Sequence, residues 1–217
     1  MDPKGFDPSQ EMKRNTMEIH YYLDEDRPQV AFHAHPFYEI YYFLEGPLER
    51  YVVGGNSYRL RPGDILLMPP GVAHHPIFDE GQKPYRRYVL WLSEEQLAQM
   101  EQLDPGLTQV LRRCREQEAY RIRCSTPAAG KSLESYLQSM WQEEQSASSC
   151  KYACLYSLCL NFLVLLNRVI ADDYIYHPRN TKPNSLMDQV LAYIHDNYTK
   201  AITLTDVADH FLSLIHI

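Results

Sequence analysis

The chain has 217 residues, with 45% hydrophobic and 23% charged residues, which is ordinary for a folded protein of one or two domains. Its net charge of −7 argues against nonspecific binding of nucleic acids or anionic membranes by the chain as a whole. No basic segment precedes an apolar one at the N-terminus, so we expect no secretory signal and a cytoplasmic location. The longest apolar stretch, Tyr152 to Leu166, is shorter than the roughly 20 residues of a membrane span, so no membrane partner is expected.

Residues 1–16 are polar and proline-rich and are expected to form a loose arm. Residues 17–92 predict a β-barrel, because short runs rich in Tyr, Ile and Phe are separated by glycine and proline turns. The predicted strands are Glu18–Leu23, Val30–Leu44, Tyr51–Val53, Ser57–Leu60, Ile65–Met68 and Tyr85–Leu92.

Two separated stretches of this region carry three histidines and a carboxylate. His33, His35 and Glu39 share parity if Val30–Leu44 is a strand, so their side chains should point to one face. His74 follows a predicted strand and a tight turn. Together the four side chains predict either a metal site with nitrogen and oxygen ligands or the polar floor of a small-molecule pocket.

Parity extends this candidate site along the same strand. Phe37, Tyr41 and Phe43 share the face of the histidines, and an aromatic wall with a few polar groups is typical of a small-molecule pocket. These side chains could equally fill the barrel core. One of Arg86 and Arg87 must also face inward, and the sequence does not decide which.

Eight positions in these two stretches resemble the cupin family. The first cupin motif, H-x-H-x3-E-x6-G, and the second, G-x5-P-x-G-x2-H, are matched in register by His33, His35, Glu39, Gly46, Gly63, Pro69, Gly71 and His74. The resemblance implies a small β-barrel with its pocket inside. Phe78 stands where the second motif usually ends in Asn, which weakens an enzymatic interpretation.

Residues 93–171 are predicted to be helical. Ser93 and Gln96 fit a capping box at the start of one helix, and a second is expected around 107–118. Residues 132–146 and 151–170 predict two more helices. The last has too many apolar positions for one narrow stripe, so we expect these two helices to form a homodimer interface.

Five cysteines, at positions 114, 124, 150, 154 and 159, form no C-x-x-C pair. They predict small apolar side chains on packed helices, with a redox or metal cluster as the alternative.

Residues 172–185 are polar, contain two prolines and predict a linker. Residues 186–217 then resemble the opening of the DNA-binding domain of AraC-type regulators. The matching positions are Ile194, Asn197, Tyr198, Ile202, Thr203, Leu204, Val207 and Ala208. The order of cupin barrel, helical dimerisation layer, linker and helix-turn-helix start resembles the AraC-type architecture across the whole chain.

Residues 186–217 depart from that family in length and charge. They contain four Asp, one Lys and no Arg, whereas phosphate contacts need cations. We therefore expect an incomplete helix-turn-helix domain without its recognition helices, and weak or no operator binding by this chain alone.

The sequence thus predicts a ligand-responsive AraC-type transcriptional regulator and not an enzyme. It would sense a small molecule, a sugar being one candidate, in the barrel without a cofactor, and the full-length protein would bind operator DNA. One alternative is a metal-dependent cupin enzyme in which His33, His35, Glu39 and His74 hold Fe, Mn, Ni or Zn. Another is a dimerising ligand-binding module that does not contact DNA.

Overall fold

The computed structural model describes residues 10–25, 30–79, 84–124, 126–170, 175–176, 190, 193–194, 197 and 200–211. The arm predicted at 1–16 and the linker predicted at 172–185 therefore fall largely outside the described residues. The same holds for much of the predicted helix-turn-helix start at 186–217.

Two antiparallel sheets form the N-terminal part of the chain. The strands are β1 (Met17–Asp24), β2 (Tyr38–Glu45), β3 (Leu48–Val53), β4 (Asn56–Tyr58), β5 (Ile65–Met68), β6 (His74–Phe78), β7 (Tyr85–Leu92), β8 (Arg121–Ile122) and β9 (Ile175–Tyr176). The larger sheet has the order β1-β7-β2-β5-β8-β9, and the smaller has the order β4-β3-β6. Since the sheets face each other, each long strand has an interior and an exterior row of side chains.

The interior between the sheets is strongly aromatic. Because Glu39 pairs with Trp91 and Tyr41 with Val89 across β2 and β7, alternate residues of both strands point inward. The interior cluster is Tyr22, Phe37, Tyr41, Phe43, Tyr51, Val53, Tyr58, Leu66, Met68, Tyr85, Val89, Trp91 and Tyr120.

The helices cover the other face of the larger sheet. They are α1 (Glu94–Leu103), α2 (Gln109–Gln117), α3 (Pro127–Glu144) and α4 (Lys151–Ile170), with a 3₁₀ turn at Pro105–Thr108 between the first two. A second apolar cluster joins outward residues of the sheet, such as Ile40 and Leu90, to helix residues such as Leu137 and Phe162. The predicted fold class of a cupin-like β-barrel with a helical layer is confirmed.

Several predicted element boundaries were wrong, two of them by five residues or more. The strand expected over Val30–Leu44 begins only at Tyr38, because Pro36 lacks an N–H and restricts the residue before it. The helix expected at 132–146 begins at Pro127, where Thr126 is the N-cap and accepts a hydrogen bond from the Ala129 N–H at 3.2 Å.

Helix α4 has the bounds predicted from the sequence, Lys151–Ile170. Its segment Lys151–Val169 has a mean hydropathy of 1.4 and is, by length and composition alone, able to cross a membrane. Core helices meet the same criterion, and Leu155, Cys159 and Phe162 of α4 are buried in the cluster shared with α3 and the sheet.

A short C-terminal helix, α5 (Leu204–His210), follows the predicted cap. Thr203 and Asp206 form a capping box, in which each side chain binds the backbone N–H of the other residue. Recognition helices of a helix-turn-helix domain are not among the described residues.

Candidate functional site

Backbone pairing brings the two histidine-bearing stretches together. His33 and His74 form an isolated antiparallel bridge, with His33 N–H donating to His74 O at 3.2 Å and His74 N–H donating to His33 O at 2.9 Å. The Gly71 N–H donates to His35 O at 3.0 Å and fixes the turn before β6. Gly71 adopts φ of +76°, which a residue with a Cβ adopts at a cost.

These contacts place the three imidazoles around one point. One ring nitrogen of each of His33, His35 and His74 lies within 4.8 Å of the others. His35 is 5% exposed and His74 fully buried, whereas His33 is half-buried. Histidines far apart in the sequence therefore form one cluster on the inner side of the sheets.

The backbone fixes the orientation of every ring. The Nδ1 atoms of His33, His35 and His74 lie 2.8, 2.9 and 2.8 Å from the carbonyl oxygens of Ala31, Phe37 and Val72. Since a carbonyl oxygen only accepts, each Nδ1 carries a proton. Nε2 of His33 and of His74 is then the ring nitrogen left for a hydrogen bond or a metal ion, whereas Nε2 of His35 already lies 3.1 Å from Glu39 Oε2.

Nε2 of His74 is buried without a hydrogen-bond partner among the described residues. Burial lowers the pKa of His74 to about 3, and the neighbouring His33 and His35 act in the same direction against the attraction of Glu39. His74 is therefore neutral at physiological pH and offers an unused lone pair.

Glu39 lies beside the histidine cluster on β2. Its Oε2 accepts hydrogen bonds from His35 Nε2 at 3.1 Å and from Trp91 Nε1 at 2.9 Å. Burial alone would raise the pKa of Glu39, but the His35 hydrogen bond, the His74 and His35 imidazoles and the Trp91 N–H lower it to about 2. His35 Nε2 donates to Glu39 only when it is protonated, so this contact and metal ligation are alternative uses of one atom.

The aromatic residues predicted to line the pocket have different positions. Tyr41 lines a cavity of about 20 Å³ together with Glu39, Tyr51, Tyr85 and Arg87. That volume is the size of a single water molecule. This cavity is small, and the expectation that Phe37, Tyr41 and Phe43 line an effector pocket stays a prediction.

Phe37 and Phe43 do not line this cavity. Phe37 stacks on the His35 ring, with centroids 3.9 Å apart and planes at 4°, and Phe43 packs near Tyr85. Both side chains are buried in the interior cluster. They act as core residues, because the cluster of large rings leaves no space beside them.

A larger cavity also borders the histidine cluster. A cleft of about 640 Å³, here called the histidine cleft, is lined by Phe32, His33, His35, Pro70 and Ala73. It is mainly apolar and is within the size range of small-molecule sites. Two members of the histidine cluster, His33 and His35, line the histidine cleft, and His33 also lines the small interior cavity with Glu39.

Residues that the sequence did not identify complete the site. Trp91 lies at an inward-facing position of β7, so the alternation of side chains along a strand would have identified it. Its hydrogen bond to Glu39 depends on the register between β2 and β7, which that alternation does not reveal. Arg87 is the inward arginine and pairs with Asp24 at 2.5 Å, while Arg86 points outward to Glu45. Asp24 and Arg87 are 63 residues apart in the sequence, so no local pattern indicates this pair.

The fold and the histidine cluster together define a cupin-like ligand-binding barrel with a helical appendage. Residues 16–149 match the model of the AraC-like ligand binding domain. The chain belongs to this family, which confirms the resemblance predicted from the sequence.

Individual relatives extend the comparison. The chain is 26% identical over 214 residues to an uncharacterized HTH-type transcriptional regulator, YfiF, of Bacillus subtilis (strain 168), with 93% of this chain aligned. The chain spans 62% of the length of that relative.

Two solved structures are also similar. The DMSP lyase DddQ from Ruegeria pomeroyi DSS-3 is 27% identical, with 37% of this chain and 40% of that chain covered and a TM-score of 0.32. A ToxT variant from Vibrio cholerae strain SCE256, in its apo form, is 10% identical, with 92% and 72% covered and a TM-score of 0.47.

Proposed function

We propose that this chain is the effector-sensing part of an AraC-type transcriptional regulator and is not an enzyme. Its effector is a small polar compound, a sugar or an aromatic acid, that enters the histidine cleft and bonds to His33, His35, His74 and Glu39. The observation that supports this proposal most directly is that His33 and His35, two members of the histidine cluster, line a cleft of about 640 Å³.

Effector binding would act through movement of the filled barrel. Because only about 20 Å³ is free beside Tyr41, a guest that reaches Glu39 must displace aromatic side chains. Such a displacement changes the outer face of the same strands, on which α3 packs through Leu137 and Met140. The effector then biases the helical layer only if its affinity differs between the two arrangements.

Thermal-shift screening of sugars and small acids tests this proposal. A ligand at a hundredfold its Kd is expected to add about 2.7 kcal/mol of stability. His35→Ala and Glu39→Ala should abolish the shift. His75→Ala, next to His74 but on the opposite parity of β6, should retain it. A shift that survives both site variants would place the ligand elsewhere and contradict the proposal.

The full-length regulator is proposed to act in the cytoplasm as a homodimer on operator DNA. Residues 186–217 have a net charge of −3, so this chain alone should bind DNA weakly or not at all. A gel shift with these 217 residues tests that expectation, and salt-resistant, sequence-specific binding would contradict it.

A bound divalent metal ion is the second candidate use of the site. The three imidazoles fit such a role, because each Nδ1 lies within 2.9 Å of a backbone carbonyl oxygen and one ring nitrogen of each residue lies within 4.8 Å of the others. His33, His35 and His74 would hold Fe, Mn, Ni or Zn with Glu39 as a further ligand. The ion would supply a Lewis acid for an oxygen-bearing effector or, in the enzymatic alternative, for a substrate.

Metal analysis of protein purified without a histidine tag decides this point. About one equivalent per chain, reduced by His74→Ala and retained in His75→Ala, is the result expected of a metal site. A stoichiometry well below one after supplementation rules it out and leaves the histidines as hydrogen-bonding groups.

A further inference from the structure

A second large cleft lies on the opposite side of the larger sheet, away from the histidines. It has a volume of about 650 Å³ and separates the outer face of the sheet from the first half of α3. We call it the helix cleft and define it by Tyr21, Tyr42, Tyr88, Arg61, Lys131 and Glu134. Its size suits a small organic ligand.

The walls of the helix cleft are aromatic on one side. Tyr21, Tyr42 and Tyr88 face it from β1, β2 and β7, and the rings of Tyr21 and Tyr88 lie 4.9 Å apart. Such a surface of neighbouring tyrosines favours a flat ring that stacks on it. Gly63 and Gly130 also line the helix cleft, and a Cβ added at either would meet only ordinary van der Waals contacts, at 3.6 Å and 3.8–4.0 Å.

The charges around the helix cleft favour an anion. Four cations line it, Arg61, Arg86, Arg123 and Lys131, against the two carboxylates of Asp64 and Glu134. This excess stands out in a chain whose net charge is −7.

Half of these cations are already neutralised. Arg123 pairs with the buried Asp64, through Nε at 2.7 Å and Nη2 at 2.5 Å, and Arg86 pairs with Glu45. The side chains of Arg61 and Lys131 have no ion-pair partner within the described part of the chain. They are the two cations available to a ligand.

Tyr42 connects the sheet to α3 across the helix cleft. Its hydroxyl donates to Gly130 O at 3.2 Å and lies 3.4 Å from Glu134 Oε2. Burial and the nearby carboxylate raise the pKa of Tyr42, so its hydroxyl remains a donor. A ligand here would compete for that donor and contact both the barrel and α3, whose far face packs on α4.

We infer that the helix cleft is a second ligand site, distinct from the histidine cleft, for a small anion that carries an aromatic ring. The ring stacks on the tyrosines, and the carboxylate or phosphate group bonds to Arg61 and Lys131. A ligand bound there contacts both the barrel and α3, and so changes how α3 and α4 pack on the barrel.

Calorimetric titration of the 217-residue protein with phenyl phosphate tests this inference. We expect saturable binding with one site per chain, weaker binding of inorganic phosphate and none of benzyl alcohol. The double variant Arg61→Glu/Lys131→Glu should weaken phenyl phosphate binding by at least about tenfold, because both exposed cations are reversed. Arg113→Glu, an exposed charge reversal on α2 outside the cleft, should leave it unchanged.

A variant that is expected to bind phenyl phosphate more tightly gives a more stringent test. Glu134→Gln removes the one lining carboxylate that has no ion pair among the described residues and should tighten binding about threefold, which a misfolded variant would not do. His35→Ala should have no effect, so the two clefts are tested separately.

Four outcomes would overturn the inference: no saturable binding, binding unchanged by the double reversal, loss of binding in His35→Ala, or inorganic phosphate that binds as tightly as phenyl phosphate. Weaker binding in a folded Glu134→Gln variant would overturn it as well.

Discussion

The inward face of β7 carries a charge that the interior must compensate. Arg87 is 3% exposed and lies over the rings of Tyr85 and Tyr22, at 4.1 and 4.7 Å from their centroids. Asp24 neutralises it in a dry environment, where an unpaired charge is very costly. The pair therefore joins β1 and β7 on the inner side of the barrel.

The adjacent arginines allow a matched test of this pair. Arg87→Met removes the buried cation that pairs with Asp24, and we expect a loss of about 3–5 kcal/mol in the free energy of unfolding. Arg86→Met removes a cation whose side chain is 43% exposed and paired with Glu45, and should cost less than about 1 kcal/mol. Urea unfolding measures both, and equal losses would show that the buried pair has no special role.

Parity predicted that one arginine faces inward but not which one. The choice follows from the pairing of Tyr22 with Arg87 and from a shift in register between Phe43 and Glu45, which no local pattern reveals. The same limit applies to the carbonyl partners of the three histidines. The identity of the histidine cluster was predictable, whereas the hydrogen bonds that orient its rings were not.

At the scale of elements, Gly46 of the first cupin motif and Gly71 of the second are required for different structural reasons. Gly46 adopts φ of +152°, and a Cβ there would lie 2.7 Å from Tyr85 Cδ2 and 3.1 Å from its backbone Cα. Gly71 adopts φ of +76° but faces open space, with nothing within 4 Å. One glycine is required for close approach and the other only for its backbone angle.

The two glycines should therefore respond differently to alanine. Gly46→Ala is expected to lower the free energy of unfolding by about 3 kcal/mol, because strain and a backbone clash add. Gly71→Ala should cost about 1–2 kcal/mol from the backbone angle alone. Chemical denaturation of both variants is the measurement, and a larger loss at Gly71 would contradict this account.

Helix α3 offers a test of its unexpected start. Thr126→Ala removes the N-cap bond to the Ala129 N–H and should cost about 1 kcal/mol. Ser135→Ala, at an exposed position inside the same helix, should cost nothing or stabilise slightly. Should the two variants unfold at the same urea concentration, the helix does not begin at Pro127.

Element types were more predictable than element ends. The period-2 and helical patterns identified most of the longer strands and the four main helices, but β6, β9 and β8 (Arg121–Ile122) were missed, and β9 lies within the predicted linker 172–185. Two residues carry no periodicity, and β8 exists because Ile122 and Arg121 pair with Ile65 and Leu66 of β5. Proline effects at Pro36 and Pro127 shifted two further boundaries.

At the scale of the whole molecule, α4 retains a partly exposed apolar surface. Leu158 and Leu165 are half-buried and seven residues apart, so they lie on one helix face. The predicted homodimer through helices 132–146 and 151–170 would cover this face.

A double substitution tests the dimer. Leu158→Glu/Leu165→Glu should convert a dimer to a monomer in sedimentation equilibrium, because four charges would be buried in the interface. The control Gln99→Glu/Gln102→Glu, at exposed positions of α1, adds the same charge elsewhere and should stay dimeric. A wild-type chain that is monomeric at all concentrations would contradict the prediction.

The order of β-barrel and then helical layer was predictable at this scale because each of these parts has its own residue pattern, whereas the predicted linker and helix-turn-helix start stay predictions. How much of the barrel interior is filled by side chains was not predictable from the sequence. Parity indicates which side chains point inward, but whether their volumes fill the space depends on how both sheets pack. The effector itself has no signature in the sequence.

Tryptophan fluorescence tests the central claim, that small compounds bind at the histidine cluster. The chain has two tryptophans, so Trp141→Phe leaves Trp91, whose indole N–H bonds to Glu39, as the sole reporter. A compound that stabilises the protein should change Trp91 emission saturably, and His35→Ala should abolish the change. A stabilising compound that leaves Trp91 emission unaltered would contradict the account.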